Sequence, residues 1–470
     1  MHALPDATEN SRWSTPPSNG RRIALATIVG TTVEWYDYFI YASMAALVFP
    51  QLFFEPAGPA ASVIISFASV GVSFLFRPIG AIVAGHYGDK IGRKAMLVLT
   101  LILMGGATTI IGILPTTETI GMAAVVLLVL LRIIQGISAG GEWGGAALMA
   151  VESAPSSHRG RWGTYPQIGV PLGMLLASGV LSLMTGVISP GEAFVDWGWR
   201  VPFLLSAILI VMGYLVRRAV SESPVFTQIA ENKEQTNMPV VVLFRRFGVL
   251  VLLCALVFSG NNAAGYMVTG GFIQGYATDP SGPVGLERTP VLLAVMAGAF
   301  TWLVSTLAAG ILADRIGRKR CYIIGWIWQL AMVFPLFWLI NTGSIALLTI
   351  AICLLSLGLG FTYGPQSAWY AELFPATVRY SGISISTAFG TIVGGAFAPT
   401  ISAALVASTG TTVSVSAYLG VLTVIGLGAT LLLRDRPGIG LELDNAEVQS
   451  EGAIARLGQS RGARPVRRGD

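Results

Sequence analysis

The chain of 470 residues is 53% hydrophobic, carries charge at only 11% of its positions and has a mean hydropathy of +0.69, whereas soluble domains are about 25% charged. Such a composition excludes a water-soluble fold over most of the length, and with it the roughly three domains that about 150 residues per soluble domain would give. The net charge of +5 implies no nucleic-acid partner, because the basic residues lie in loops and tails.

In chain order, residues 1–20 are rich in Ser, Pro, Asn and Thr, lack the charged-then-apolar order of a cleavable signal, and are expected to form a disordered cytoplasmic tail. Apolar runs able to cross roughly 30 Å of hydrocarbon then begin near Ile23, Ala60, Ala95, Ile120, Trp162, Trp199, Phe247, Thr289, Tyr322, Ser344, Gly382 and Thr412. The expected fold is an all-α membrane protein whose twelve transmembrane helices form two six-helix bundles, residues 21–220 and 245–434. Between them, 221–244 reads as a cytoplasmic linker carrying Glu222, Glu231, Lys233 and Glu234. After Arg434 the apolar runs stop, and the Gly- and Arg-rich composition predicts a disordered cytoplasmic tail over 435–470.

With the amino terminus inside, the inner loops hold most of the loop lysines and arginines, from Lys90, Arg93 and Lys94 to Arg318, Lys319, Arg320 and Arg379, and only Arg200 and Arg288 fall outside. The positive-inside bias therefore puts both termini in the cytoplasm. Cys254, Cys321 and Cys353 are scattered through apolar runs without metal-ligand or disulfide spacing and read as packing residues.

The two halves repeat. Gly85, Asp89, Gly92, Arg93 and Lys94 return as Gly310, Asp314, Gly317, Arg318 and Lys319 at an offset of 225. Glu152, Pro155 and Arg159 return as Glu372, Pro375 and Arg379 at 220, and Arg21-Arg22 as Arg245-Arg246 at 224. Such pseudo-symmetric halves place a solute site at their interface near the membrane midplane.

The Gly85–Lys94 loop resembles the signature between the second and third helices of the major facilitator superfamily, and Arg132-Ile-Ile-Gln135-Gly136 resembles its fourth-helix motif. Gly30-Thr-Thr-Val-Glu34-Trp35-Tyr36-Asp37, Arg77-Pro78-Ile-Gly80, Gly140-Gly141-Glu142-Trp143-Gly144-Gly145 and Glu222-Ser-Pro224-Val-Phe226 are similar to the metabolite:proton symporters, which include shikimate, 2-oxoglutarate, citrate and proline/betaine permeases. The likeness runs from about residue 21 to 434, and the Glu142-Trp143 and Gly198-Trp199-Arg200 runs resemble the shikimate-permease branch. Tyr38 departs from it, standing where Phe is usual, and the coiled-coil tail of osmosensing porters is missing, so no osmosensor role is expected.

Charges inside helices are functional hypotheses by default, since each costs upwards of about 2.5 kcal/mol at the bilayer centre. Glu34 and Asp37 lie one turn apart on the first helix, on one face with Tyr38 and Tyr41. Arg132, Gln135 and Glu142 share a face of the fourth, and Arg77 precedes Pro78 in the second. No histidine lies in mid-membrane, so proton binding is expected on carboxylates, with Asp37 first, Glu34 second, and Arg132 and Glu142 in the same coupling set. Solute contacts are expected from Arg77, Tyr38, Tyr41, Gln135, Tyr165, Gln167, Asn261, Asn262, Tyr266, Tyr363, Gln366 and Tyr370, with Trp369 beside the last; interhelical hydrogen bonding is the alternative for each. The resemblance implies a cytoplasmic gate made of Asp89, Arg93, Glu152, Arg159, Asp314, Arg318, Glu372 and Arg379.

A membrane enzyme would need a nucleophile and base or a metal cluster, and no His- or Cys-based set is present. The expected function is proton-coupled import of a small organic acid, such as a shikimate-, 2-oxoglutarate- or aromatic-acid-like metabolite, across the plasma membrane by alternating access. A zwitterion porter for solutes such as proline or betaine, an exporter and a uniporter are the alternatives. The expected partners are the solute, protons and the bilayer; no cofactor, metal or nucleic acid is expected, and the chain is expected to be monomeric.

Overall fold

The computed structural model of the chain describes residues 20–91, 93–140, 143–218, 239–269, 271–441, 448–449 and 452–454. Twelve long helices organise them. The first half holds α1 (Gly20–Leu47), α2 (Pro59–Ile91), α3 (Arg93–Ile113), α4 (Met122–Ala139), α5 (Arg159–Leu183) and α6 (Arg200–Arg218). The second holds α7 (Pro239–Thr269), α8 (Arg288–Ile316), α9 (Arg318–Ile340), α10 (Ile345–Tyr363), α11 (Arg379–Thr391) and α12 (Val413–Leu432). Among the described residues no strand forms, and Leu433 and Ile454 make an isolated antiparallel bridge.

Ten of the described helical stretches are long and apolar enough to cross a membrane. Of the other two long helices, α3 has Val98–Ile113 as its fully described apolar stretch, and α1 carries Glu34, Asp37 and three tyrosines. Leu, Ile, Val and Phe side chains exposed along the helices, such as Ile82, Ile208, Leu252 and Phe300, make the lipid-facing surface expected of a multi-pass membrane protein.

Glycines set the closest helix crossings, and they repeat. A Cβ on Gly136 of α4, or on Gly140 at its C-cap, would lie 2.0 Å from the backbone oxygen of Ser73 or Arg77 in α2. At an offset of 224, Gly360 of α10 would meet Ser305 Oγ at 1.9 Å, and Gly364 would meet Thr306 O of α8 at 2.5 Å. Two small residues four apart let backbones approach in lipid, where van der Waals packing drives association.

The two halves meet at both ends. At one end, α5 runs antiparallel to α8, so that the backbone N–H groups of Gly160 and Arg161 donate to Asp314 at 2.7 and 2.9 Å. At the other, Thr185 and Thr289 hydroxyls lie 2.9 Å apart, Arg288 donates to Leu47 O at 3.3 Å, and Gly271 packs against the backbone of Ala42.

Two boundaries differ from expectation. The described part of α7 is already helical at Pro239, inside the stretch expected as linker. Part of the stretch expected to be a solvated tail is packed: Leu441 and Ala453 are buried, Gln449 is 1% exposed, and Arg434 N donates to Ala453 O at 2.9 Å. Composition misses this because a few apolar side chains suffice when they cover an end already formed by helices. Residues 1–19 and 219–238 lie outside the described residues.

Candidate functional site

The first half encloses a chain of polar groups deep in the bundle. Asp37, 1% exposed, accepts from Ser206 of α6 at 2.6 Å through Oδ1 and from Thr108 of α3 at 2.9 Å through Oδ2. Thr108 Oγ1 receives the Gln135 amide N–H at 2.8 Å, and Gln135 Oε1 receives the Arg132 guanidinium at 2.7 Å. Asp37 and Arg132 are thus joined through two neutral side chains, and not as a direct ion pair.

Arg132 is fully enclosed. It donates to Ser69 O at 3.3 Å, Val70 O at 2.9 Å and Ser73 Oγ at 2.7 Å, all on α2, and its guanidinium stands 3.9 Å from the Tyr41 ring centroid. No carboxylate lies within ion-pair distance of it among the described residues. Tyr41 OH meets Ser69 Oγ at 2.7 Å. Glu34 approaches Arg77 at 3.8 Å, while Arg77 also lies 4.4 Å above the Phe74 ring and Tyr38 stacks edge-on to Trp35 and Phe74.

Thr108, Ser206, Ser69 and Ser73 were not among the residues singled out from sequence. The α2 hydroxyls had a signal: Ser62, Ser66, Ser69 and Ser73 recur at helical spacing, and this stripe faces α1 and α4 through Ser66 to Ala45 O and Ser73 to Arg132. Thr108, beside Thr109, and Ser206 lie in apolar runs with no such pattern.

The second half answers without charge. Asn261, which stands 224 positions after Asp37, accepts from Thr362 Oγ1 at 2.6 Å, and Thr362 receives Gln329 Nε2 at 3.0 Å. The amide–hydroxyl–acceptor order matches that of Gln135, Thr108 and Asp37, with asparagine replacing the aspartate. Asn262 donates back to Phe258 O at 2.7 Å, and Tyr363 packs edge-on against Trp302.

Two buried amides have no hydrogen-bond partner among the described residues: Gln167 of α5, 0% exposed, and Gln366, 1% exposed, in the short helix Gln366–Leu373 after α10. Their helices touch where Gly163 packs on Ser367 and Ala368. Tyr165 is half-buried against Trp162. Tyr370 is drawn away from this set: its hydroxyl donates to Cys254 O at 2.6 Å inside the second apolar cluster. Trp369 likewise donates to Arg434 O at 3.2 Å. Glu142 and the Tyr266 side chain lie outside the described residues.

Six of the expected gate residues gather at the end carrying Asp314. Arg318 pairs with Asp314 at 3.1 Å and Glu372 at 3.0 Å. Arg379 crosses to Glu152 of the first half at 3.3 Å and also donates to Leu441 O at 3.0 Å and Gln449 Oε1 at 2.9 Å. Arg159 donates to Ile439 O. Asp435 accepts from the N–H groups of Arg318 and Lys319 at the start of α9, both at 3.2 Å, where a carboxylate meets the positive end of the helix dipole. The side chains of Asp89 and Arg93 lie outside the described residues.

The model of the Major Facilitator Superfamily matches residues 28–376 and 263–465. The chain belongs to the major facilitator superfamily. Within it, the Inner membrane metabolite transport protein YhjE of Escherichia coli (strain K12) is 38% identical, over 93% of this chain and 99% of that protein. The Shikimate transporter of the same organism is 39% identical over 89% and 95%, and its Proline/betaine transporter 30% over 87% and 82%. The protein is a multi-pass metabolite transporter of the shikimate-like branch, and not an enzyme. Among solved structures, the proton:xylose symporter XylE bound to 6-bromo-6-deoxy-D-glucose shares its fold, with a TM-score of 0.73 at 18% identity over 92% of this chain and 99% of that one.

Proposed function

We propose that the protein is a proton-coupled symporter that imports a small organic acid across the plasma membrane, with both termini and the Asp314 end in the cytoplasm. The observation that carries this reading is the Asp37–Thr108–Gln135–Arg132 chain, a buried carboxylate and a buried guanidinium each held by neutral partners. A buried charge without a counter-ion costs several kcal/mol unless other interactions offset it, so both groups are poised to gain charge compensation during a cycle. Asp37 gains it from a proton. Arg132, through the one N–H its neighbours leave over, or Arg77, gains it from the carboxylate of the solute.

Solute binding then falls between the halves. The unpartnered amides of Gln167 and Gln366, together with Asn261, Asn262, Tyr363, Tyr38, Tyr41 and Tyr165, supply hydroxyl and amide partners for a polyhydroxylated or aromatic acid. Greater identity to the shikimate transporter than to the proline/betaine transporter favours an acid over a zwitterion. The network of Glu152, Arg159, Asp314, Arg318, Glu372 and Arg379 acts as the cytoplasmic gate, with Asp89 and Arg93 as their repeat counterparts. Purified protein in vesicles with an imposed pH gradient, offered a panel of labelled hydroxylated, dicarboxylic and aromatic acids beside betaines, tests this. Uphill uptake of an acid, abolished by collapsing the gradient, is expected; uptake of betaine alone, or uptake indifferent to the gradient, contradicts it.

A further inference from the structure

The hydroxyl of Thr108 has two acceptors and one proton. Its Oγ1 lies 2.9 Å from Asp37 Oδ2 and 3.0 Å from Met104 O, one turn back on α3. The third neighbour, Gln135 Nε2 at 2.8 Å, can only donate, because the other end of that amide, Oε1, is fixed by the Arg132 guanidinium at 2.7 Å, which has no acceptor to offer. Thr108 therefore always receives a hydrogen bond from Gln135 and is free to aim its own proton at either Asp37 or Met104 O.

We propose that Thr108 is a positioning residue for proton coupling, a hydroxyl that turns between two acceptors as Asp37 gains or loses its proton. With Asp37 ionised, Thr108 donates to Oδ2 and Ser206 to Oδ1, so the carboxylate has a donor on each oxygen. When a proton from the aqueous side binds Oδ2, the new O–H donates to Thr108 Oγ1, and the threonine, keeping its own proton, turns it to Met104 O. Oδ1 stays bonded to Ser206 throughout. Both charge states are satisfied without moving a heavy atom, and an unsatisfied buried group is the outcome that would otherwise block one of them.

The surroundings leave this role to Thr108. Among titratable and charged groups, α1 itself brings Glu34, Tyr36, Tyr38 and Tyr41, α2 brings Arg77 paired to Glu34, and α4 brings Arg132. The described part of α5 carries its arginines, Arg159 and Arg161, in its first turn beside Asp314. Glu152 is drawn to Arg379, and Tyr276, in the short helix after α7, is bonded to Asn341. From α3 and α6 Asp37 meets hydroxyls. In the second half the corresponding Thr362 serves Asn261, an acceptor that carries no charge to switch.

This inference rests on the reading of Asp37 as the proton site, and the test separates the two. Infrared pH titration of the protein in lipid vesicles, with no solute added, follows the carbonyl stretch of protonated carboxyls; the band lost in Asp37→Asn belongs to Asp37. Thr108→Val removes a bond from both charge states and is expected to move the midpoint of that band to higher pH by about one unit, since the bond lost from the ionised form is the stronger of the two, while Thr108→Ser restores it. Ser206→Ala should instead raise the carbonyl frequency, because Oδ1 keeps the C=O character. If Thr108→Val is not recovered folded, Thr108→Ala is read in the same way. A Thr108→Val or Thr108→Ala titration identical to the parent overturns the hydroxyl switch alone. Absence of any band that Asp37→Asn removes overturns the reading of Asp37, and the switch with it.

Discussion

Four of the five N–H groups of Arg132 are bound, three to α2 and one to Gln135, so the guanidinium is held over Tyr41 before any solute arrives. Lysine offers three donors on a flexible stem and cannot reproduce that plane. Arg132→Lys is therefore expected to cut initial uptake by roughly tenfold or more, the scale of one lost charged hydrogen bond, with the protein still in the membrane; uptake within twofold of the parent would count against it. Gln167 and Gln366 behave oppositely toward stability. Their buried amides have no partner among the described residues, so Gln167→Leu or Gln366→Leu should hold or raise the melting temperature while raising KM several-fold. Tyr370→Phe, which removes a satisfied bond to Cys254 O, should cost about 1 kcal/mol and leave KM alone. At this scale the charged residues were legible, because a charge in an apolar run stands out. Their hydroxyl partners were not, since Thr108 or Ser206 is ordinary helix content until neighbouring helices show what it faces.

Hydropathy made the helices visible, and the points where it faltered are informative. Helix α1 is the polar exception because it carries Glu34 and Asp37, the same residues that make it a candidate site helix. The glycine pairs were quoted within motifs, yet their packing role depends on which helix lies opposite, which no single helix encodes. Gly136→Val or Gly360→Val would drive side-chain atoms into the Ser73 backbone or Ser305, and overpacking costs about 1–3 kcal/mol or more. Both variants should show reduced yield and a lower melting temperature in detergent, and equal losses in the two would reflect the repeat. Normal thermal stability in both would mean the crossings are not as tight as the structure has them.

Across the whole molecule, the described residues tie the two halves together at both ends of the bundle. Asp314 joins them by capping the start of α5 while pairing with Arg318. Asp314→Asn keeps the size but weakens both roles, and is expected to reduce net transport strongly while equilibrium solute affinity stays within a few-fold, since it acts on the balance of conformations and not on the solute. Loss of affinity in folded protein would assign Asp314 to binding instead. The packed segment after Arg434, which composition concealed, adds Ile439, Leu441 and Gln449 to the same end. Symport through Asp37 is the central claim, and pH recording on lightly buffered, de-energised vesicles tests it most directly. Adding the transported acid, identified from the uptake panel, should make the medium more alkaline as protons enter with it, and Asp37→Asn should abolish that change while exchange of labelled for unlabelled solute continues. Solute uptake with no pH change in the parent, or an undiminished change in Asp37→Asn, would contradict the account.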